Sequence, residues 1–303
     1  MKKPCFTLFA LVLISHWAYP ETLKPYIMAG EEQGTLSEVQ LSVTGKLAVS
    51  GFEVLNSYSP ADDPSLSVIC VTHADLKQLA AEKGGLTGFA MVLRVGLEAT
   101  DTGISVSYMN PVYWGAAYLR SDYESVESVY TDLQAKFEAT FSDLSTVIGE
   151  PFGSKKGLKD RKLKKYHYMM AMPYFDDVNV LSEGVPYEQS IAAIEANAAS
   201  GNADAVIVYK IELPGMKMAL YGTGITGEKG EATFLPKIDF NEPRHAAFLP
   251  YEMLVLDNRV VSLHGKYRIA LSFPDLKMGT FMKIMSTPGD IAKAQESLLL
   301  SAE

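Results

Sequence analysis

The same order of secondary-structure signals occurs twice along this chain, and this repetition limits its fold more than any other feature. Each time, a helical pattern is followed by a strand, a turn, a second strand, a connecting segment, a hairpin and a proline. The first helical pattern covers residues 35–49, with apolar residues at every third or fourth position, and Gly51 follows it. This first stretch closes at Asn110-Pro111.

The second stretch opens with an alanine-rich helical pattern over residues 187–199, which stops at Gly201. Strand patterns follow it, at residues 205–209, 217–222, 251–256 and 267–273. The last two strands are predicted to form a hairpin that turns at Asp257-Asn258 and closes at Pro274. The matching order favours an internal duplication. Two unrelated α+β halves are the alternative, because element types are few and such orders also arise by chance.

The segment between the two stretches divides the chain. Residues 122–148 carry an apolar stripe at helical spacing, which predicts one long amphipathic helix. Residues 155–165 are strongly basic and form either a solvated loop or a contact for anionic headgroups. We therefore expect a first α/β unit over 34–150, a basic linker with a His/Met-rich segment over 151–185, and a second unit over 186–303. The predicted fold class is α+β, with two similar sandwich-like units (helix-strand-strand-helix-hairpin) that form an intramolecular pseudo-dimer.

The N-terminus has the layout of a secretory signal peptide over residues 1–20. Lys2 and Lys3 precede an apolar run over residues 6–18, and the chain turns polar soon afterwards. An apolar run of this length is too short for a spanning helix, which needs roughly 20 residues. We expect export to a periplasm or to the outside of the cell with cleavage near Ala18, and an uncleaved N-terminal anchor is the alternative.

Charge and cysteine content exclude some classes of protein. The formal net charge is −9, which argues against a general nucleic-acid role and favours solubility. Of the two cysteines, Cys5 would leave with the leader. Cys70 lies in an apolar strand pattern, so we expect a buried and unreactive thiol rather than a disulfide or a nucleophile.

Short motifs occur at corresponding places in both stretches. They are Gly51-Phe52-Glu53-Val54 and Tyr108-Met109-Asn110-Pro111 in the first stretch, and Leu220-Tyr221-Gly222, Leu249-Pro250-Tyr251 and Ser272-Phe273-Pro274 in the second. These motifs resemble those of the family catalogued as domain of unknown function 302. The first stretch has Thr72-His73 where the family has a glycine, and the second lacks the Gly-Phe pair. The resemblance implies a dimer-forming fold, which a tandem chain could reproduce within one polypeptide. It implies no established activity.

Several short motifs are only weak indications of a particular chemical function. Gly222, Gly224 and Gly227 form a G-x-G-x-x-G, but no helical pattern follows it, so we expect a flexible loop rather than a dinucleotide site. Asp176-Asp177 is typical of a turn, with a divalent-ion site as the alternative. The common hydrolase and metalloprotease motifs do not occur, although a catalytic triad dispersed along the sequence stays open.

Two clusters are candidates for binding. A soft-metal site, with copper as its ion, would use His167, Met169, Met172, Met278, Met282 and Met285. Methionine is also a common filler of irregular cores, which is the alternative. A cleft between the repeats for a small apolar ligand would use Tyr108, Tyr113, Trp114, Tyr118, Phe273 and Phe281. An ordinary apolar seal between the units is the alternative.

Together these observations predict an exported, non-enzymatic binding or accessory protein. Its partner would be an unidentified small molecule or protein, without nucleic acid and without a membrane span after processing. Its cofactor and its oligomeric state stay open. A periplasmic copper-handling protein and an uncharacterised hydrolase are the two alternatives.

Overall fold

The computed structural model describes residues 22–300, so the predicted leader lies outside the described residues. The first unit consists, in order, of β1 (Tyr26–Glu32), α1 (Leu36–Val49), β2 (Glu53–Tyr58), β3 (Leu66–Thr72), α2 (Ala74–Lys83), β4 (Leu93–Thr100), β5 (Gly103–Met109), α3 (Pro111–Leu119), α4 (Glu127–Thr140) and β6 (Thr146–Phe152). A short helix, α5 (Asp160–Leu163), follows. The second unit consists of β7 (Asn179–Glu183), α6 (Tyr187–Ser200), β8 (Ala205–Leu213), β9 (Met218–Ile225), α7 (Glu231–Ile238), β10 (Tyr251–Leu256), β11 (Arg259–Ser262), α8 (Gly265–Ser272), α9 (Met278–Met282) and α10 (Thr287–Glu296).

The two units have the same sheet topology. The first sheet has the order β2-β3-β4-β5-β1-β6, and the second has the order β7-β11-β10-β9-β8. In each unit a four-stranded antiparallel meander is joined at its last strand by the strand that precedes the first helix: β1 pairs with β5, and β7 pairs with β11. The α+β class and the repeated element order are therefore confirmed, and β6 extends only the first sheet.

Local sequence signals explain why the first helix forms where it does. Thr35 and Glu38 make a capping box: the Glu38 amide donates to Thr35 Oγ1 at 3.3 Å, and the Thr35 amide donates to Glu38 Oε2 at 2.9 Å. Val43 and its apolar neighbours one turn away are buried against the sheet. Cys70 is buried in β3, an interior strand of the sheet, which confirms the predicted burial, and this burial raises the pKa of its thiol to about 12.

Reciprocal contacts relate the two units by an approximate two-fold axis. Tyr113 is the third residue of α3, and its hydroxyl donates to the carbonyl of Leu271 on α8 at 2.8 Å. Tyr267 is the third residue of α8, and its hydroxyl donates to the carbonyl of Ala117 on α3 at 3.2 Å. A pair of contacts in which each side supplies the same position is the property of an isologous interface. The interface between the units is therefore arranged like that of a two-fold symmetric dimer.

The connectors that precede β4 and β10 each pack on the sheet of the other unit. The connector at Gly85–Met91 packs on β9 and β10, and the one at Ala246–Phe248 packs on β3, β4 and β5. A Cβ atom added at Gly88 would lie 2.6 Å from Leu254 Cδ1, and one added at Gly96 would lie 3.2 Å from Ala246 Cβ. The absence of a side chain at these two glycines lets each connector approach the sheet of the other unit closely.

Buried charges lie on this axis. Arg94 is the second residue of β4 and Glu252 the second residue of β10, and the two form an ion pair in which both side chains are nearly inaccessible. Arg268 Nε lies 3.6 Å from Glu252 Oε2, and the Arg268 guanidinium lies 4.8 Å from the centre of the Trp114 ring. Tyr209 adds a long hydrogen bond of 3.4 Å to Glu252. Equivalent positions of the repeat thus carry opposite charges that meet at the interface.

Three sequence predictions are corrected by the structure. The predicted helix over 122–148 is a 3-10 turn, α4 and then β6, because the open edge of β1 supplies hydrogen-bond partners for a strand there. The predicted strand over 267–273 is α8, since the His264 ring accepts the Lys266 amide and starts a helix that is buried nearly all round. The hairpin does turn after Leu256 as predicted, but its second strand is β11.

The glycine motif is corrected as well. Gly222 and Gly224 lie in β9, a strand whose residues are all buried, and are not part of a flexible loop. Only Gly227 lies beyond the strand, where it adopts a φ of 75° in the turn before α7. A helix therefore does follow the motif, and the prediction that none would is wrong. The strand forms because β8 and β10 pair with β9 on both sides.

Candidate functional site

A cleft of about 850 Å³ lies where the end of the first unit meets the second unit. We call it the His245 cleft. It is lined by Lys24, Phe152, Gly153, Ser154, Lys155, Ile238, Asp239, Phe240, Asn241, Glu242, Pro243, His245, Phe273, Asp275, Leu276, Lys277 and Thr280. Its volume is within the range of small-molecule sites, roughly 300–1,000 Å³. The cleft is therefore large enough for a small organic ligand.

Aromatic rings surround His245, of which Phe152 and Phe273 also line the cleft and Tyr26 is fully buried behind them. The imidazole stacks on Phe273 with ring centres 4.5 Å apart and an angle of 20° between the ring planes. The Tyr26 ring lies 5.0 Å from the imidazole, and the Phe152 ring lies 5.8 Å from it in an edge-on arrangement. Tyr26 belongs to β1, Phe152 to β6 and Phe273 follows α8, so three separate segments position this ring.

The hydrogen bonding of His245 determines which proton its ring carries. Nδ1 lies 3.2 Å from the carbonyl oxygen of Ser272, and a carbonyl only accepts, so Nδ1 is the donor. Burial lowers the pKa of His245 to about 4, so the ring is neutral near pH 7. Nε2 has no hydrogen-bond partner among residues 22–300 and is not sealed from solvent. It therefore faces the cleft as a hydrogen-bond acceptor.

Asp239 positions the backbone of the cleft wall. Its two carboxylate oxygens accept the backbone N–H of His245 at 2.9 and 3.0 Å. Burial raises the pKa of this carboxyl to about 7, against the lowering effect of that N–H bond. Because Asp239 binds the amide and not the imidazole, it does not orient the ring as the acid of a triad does. The Ser272 hydroxyl is bound to Arg268 instead of His245, so the hydrolase interpretation gains no support at this cleft.

Lysines surround the mouth of the His245 cleft. Lys24, Lys155 and Lys277 line it, and in the described part of the chain none of the three has an ion-pair partner. The carboxylate of Asp275 accepts the Lys155 amide at 2.5 Å and the Ser154 hydroxyl at 3.3 Å. Asp239 and Glu242 also line the cleft, so its lining carries both positive and negative charges.

The other unit has a smaller cleft of about 620 Å³ at the equivalent place. It is lined by the Leu86–Thr87 end of its connector, by the C-terminal end of α3, and by parts of the linker. Thr87 has the same position relative to β4 as His245 has relative to β10. Phe175 from the linker packs here on Tyr118, with ring centres 5.4 Å apart. The two repeats have diverged, and the wall of aromatic rings around an imidazole exists only on the His245 side.

The six residues predicted to line an apolar cleft occupy different places. Phe273 lines the His245 cleft and Tyr118 lines the smaller one. Tyr113 and Trp114 are buried at the two-fold axis, and Tyr108 is buried against Phe137 at a ring distance of 4.7 Å. Phe281 is half-buried against the core. Ligand contact by these residues stays a prediction, with Phe273 the member nearest to the inner wall of the larger cleft.

The methionines predicted either to bind copper or to fill the core are largely on the surface. Met278, Met282 and Met285 are 46%, 54% and 59% exposed, which excludes core filling at these three positions. His167 Nε2 is bonded to the Met172 carbonyl at 2.7 Å. Met169 is also exposed, at 42%. Copper binding by these side chains stays a prediction from the sequence.

Three further structural findings bear on the sequence predictions. Between residues 22 and 300, no group of three or more His, Cys, Asp or Glu side chains is arranged to hold a metal ion. Asp176 and Asp177 lie in a turn as predicted: Asp176 pairs with Arg120 at 2.7 Å, and Asp177 accepts the Tyr174 amide at 2.8 Å. No helix in the described part is both long and apolar enough to cross a membrane.

Comparison with known proteins shows limited similarity to solved structures. No protein-family model matches the chain, and no curated protein matches it. A solved structure is similar over 39% of this chain and 95% of its own, with 13% sequence identity and a TM-score of 0.34. It is described as the crystal structure of uncharacterized conserved protein DUF302 from Bacillus stearothermophilus.

Proposed function

We propose that this protein is a non-enzymatic binding protein that holds a small, mainly apolar molecule in the His245 cleft. The observation that carries the proposal is a cleft of about 850 Å³ between the units, with the apolar residues Phe152, Ile238, Phe273 and Leu276 on its wall among polar and charged ones. Pockets with a mainly apolar lining and a small number of placed polar groups are typical ligand sites.

The tandem architecture accounts for the difference between the two clefts. We infer that the chain is a fused duplication of a unit like that of the domain of unknown function 302. The shared strand order and the reciprocal Tyr113 and Tyr267 contacts support a dimer joined into one polypeptide. A symmetric dimer has two identical clefts, whereas a fused chain is free to change one of them. The His245 cleft would then be the one that has kept or gained a ligand.

A cleft-filling substitution tests the proposal. We expect Thr280→Trp to weaken binding at least about tenfold, because the indole would occupy volume that the ligand needs. The control is Thr233→Trp, since Thr233 is exposed on α7 outside the cleft. Binding of p-cresol, indole and 2-naphthol would be measured by calorimetry and by ligand-detected NMR. If none of the three binds the wild-type protein, or if Thr280→Trp binds them as well as Thr233→Trp does, the proposal is lost.

We also propose that the protein is exported, on the strength of Lys2, Lys3 and the apolar run over residues 6–18. Expression of the full chain in a bacterium with a periplasm should give a periplasmic protein whose N-terminus, read by mass spectrometry, follows Ala18. Leu13→Arg interrupts the apolar run and should leave the full-length chain in the cytosol. Full-length wild-type protein in the cytosolic fraction would contradict export.

A further inference from the structure

We propose that His245 determines the specificity of this cleft by selecting an aromatic molecule that offers one hydrogen-bond donor, such as a phenol-type hydroxyl or an indole-type N–H. This inference rests on the proposed binding function and adds the chemical class of the ligand. It starts from His245 Nε2, a ring nitrogen of a cleft-lining residue that has no hydrogen-bond partner among the described residues.

The hydrogen bond that Nδ1 makes determines that Nε2 accepts a hydrogen bond and does not donate one. The Ser272 carbonyl holds the ring proton on Nδ1, because a neutral imidazole carries a single N–H. Ser272 is itself the last residue of α8, and its side chain is bound to Arg268 within that helix. The carbonyl is therefore fixed in place by a rigid element, and rotation of the ring would lose this bond. A ligand group that only accepts hydrogen bonds would place its own lone pair against that of Nε2, and the two would repel each other.

The surroundings of the ring favour a flat ligand. The imidazole, Phe273 and Phe152 line the cleft as aromatic rings, and the buried Tyr26 ring supports the imidazole from behind. Aromatic rings pack on one another in offset or edge-on arrangements that add to the effect of area burial. A ligand ring that extends this arrangement can place a substituent within hydrogen-bond distance of Nε2.

Desolvation makes this contact selective. A ligand without a donor would exclude water from Nε2 and leave its lone pair unpaired, which weakens binding about tenfold or more. Sites that bind a ligand hydroxyl reject analogues that lack it much more strongly than apolar pockets reject a missing methyl group. The ligand class is therefore distinguished by its single donor and not by its size.

Matched pairs of ligands test the inference. We expect the wild-type protein to bind p-cresol at least about tenfold more tightly than 4-methylanisole, and indole at least about tenfold more tightly than 1-methylindole. His245→Phe keeps a ring that can stack on Phe273 but removes the acceptor, so it should bind both members of each pair equally. Equal binding within each pair by the wild-type protein would overturn the inference and leave the proposed function intact. Binding of none of the four would instead overturn the proposed function.

A second measurement uses the unaltered protein and does not depend on how a variant folds. NMR of protein labelled with ¹⁵N-histidine reports which ring nitrogen carries the proton. We expect the His245 proton on Nδ1 in the free protein, and a shift of the Nε2 resonance when p-cresol is added but not when 4-methylanisole is added. A proton on Nε2 in the free protein, or identical spectra with both compounds, would overturn the inference.

Discussion

Replacement of Glu252 by alanine is expected to lower the free energy of unfolding by about 3–5 kcal/mol. Glu252 is the single carboxylate between Arg94 and Arg268, and all three side chains are almost completely buried. Its removal leaves two guanidinium groups in a site from which water is excluded, and their charges then repel each other. Because Arg94 belongs to the first unit and Glu252 to the second, this loss weakens the contact between the units.

Denaturant unfolding followed by tryptophan fluorescence measures the effect, since Trp114 lies against Arg268. The control is Glu53→Ala, which removes a surface ion pair with Lys77 whose side chains are 32% and 58% exposed. Pairs of this kind contribute roughly 0–1 kcal/mol. If Glu252→Ala were no more destabilising than Glu53→Ala, the buried pair would not be what holds the two units together.

Gly222→Ala is the second substitution with a large expected effect. A Cβ atom at Gly222 would lie 2.2 Å from Cε1 of Tyr209, its partner on the neighbouring strand. Tyr209 is buried and its hydroxyl reaches Glu252, so the ring has no free direction in which to move. Overpacking of a dense core costs about 1–3 kcal/mol and occasionally more, and we expect about 3 kcal/mol here.

Gly279→Ala is the matched control, because a Cβ atom at that position has no atom within 4 Å. Its position on the helix α9 predicts a change of less than about 1 kcal/mol, in the stabilising direction. Thermal unfolding of the two variants compares them directly. Equal melting temperatures would show that β9 accommodates a methyl group at Gly222, and the account of the glycine motif as a packing feature would then be wrong.

Local patterns predicted much of the fold. The periodic apolar residues before Gly51 and the alanine-rich run before Gly201 mark α1 and α6, and the turn at Asp257-Asn258 marks the second hairpin. These predictions succeed because a helix stripe, a cap and a tight turn depend on residues close in sequence. The strands β1 and β7 were missed, since each forms by pairing with a strand far along the chain.

The same limit applies to the candidate site. Phe273 was predicted as a cleft residue because it closes the second repeat, but no motif contains His245. Its neighbours in space, Tyr26 and Phe152, are separated from it by more than one element of the chain. A histidine becomes recognisable as a binding residue only when its ring has been placed and its second nitrogen is found to be unpaired. Neither property is encoded by local spacing.

By itself, the sequence determined the α+β class, the duplicated element order and the inert buried thiol, because hydrophobic periodicity and turn chemistry act over a few residues. Tertiary structure alone decided how the two repeats meet: opposite charges at equivalent positions, connectors that each pack on the sheet of the other unit, and two clefts with different linings. These features join residues more than a hundred positions apart. The chain brings such residues together only when its whole core is packed, so their chemistry follows from the fold and not from any segment.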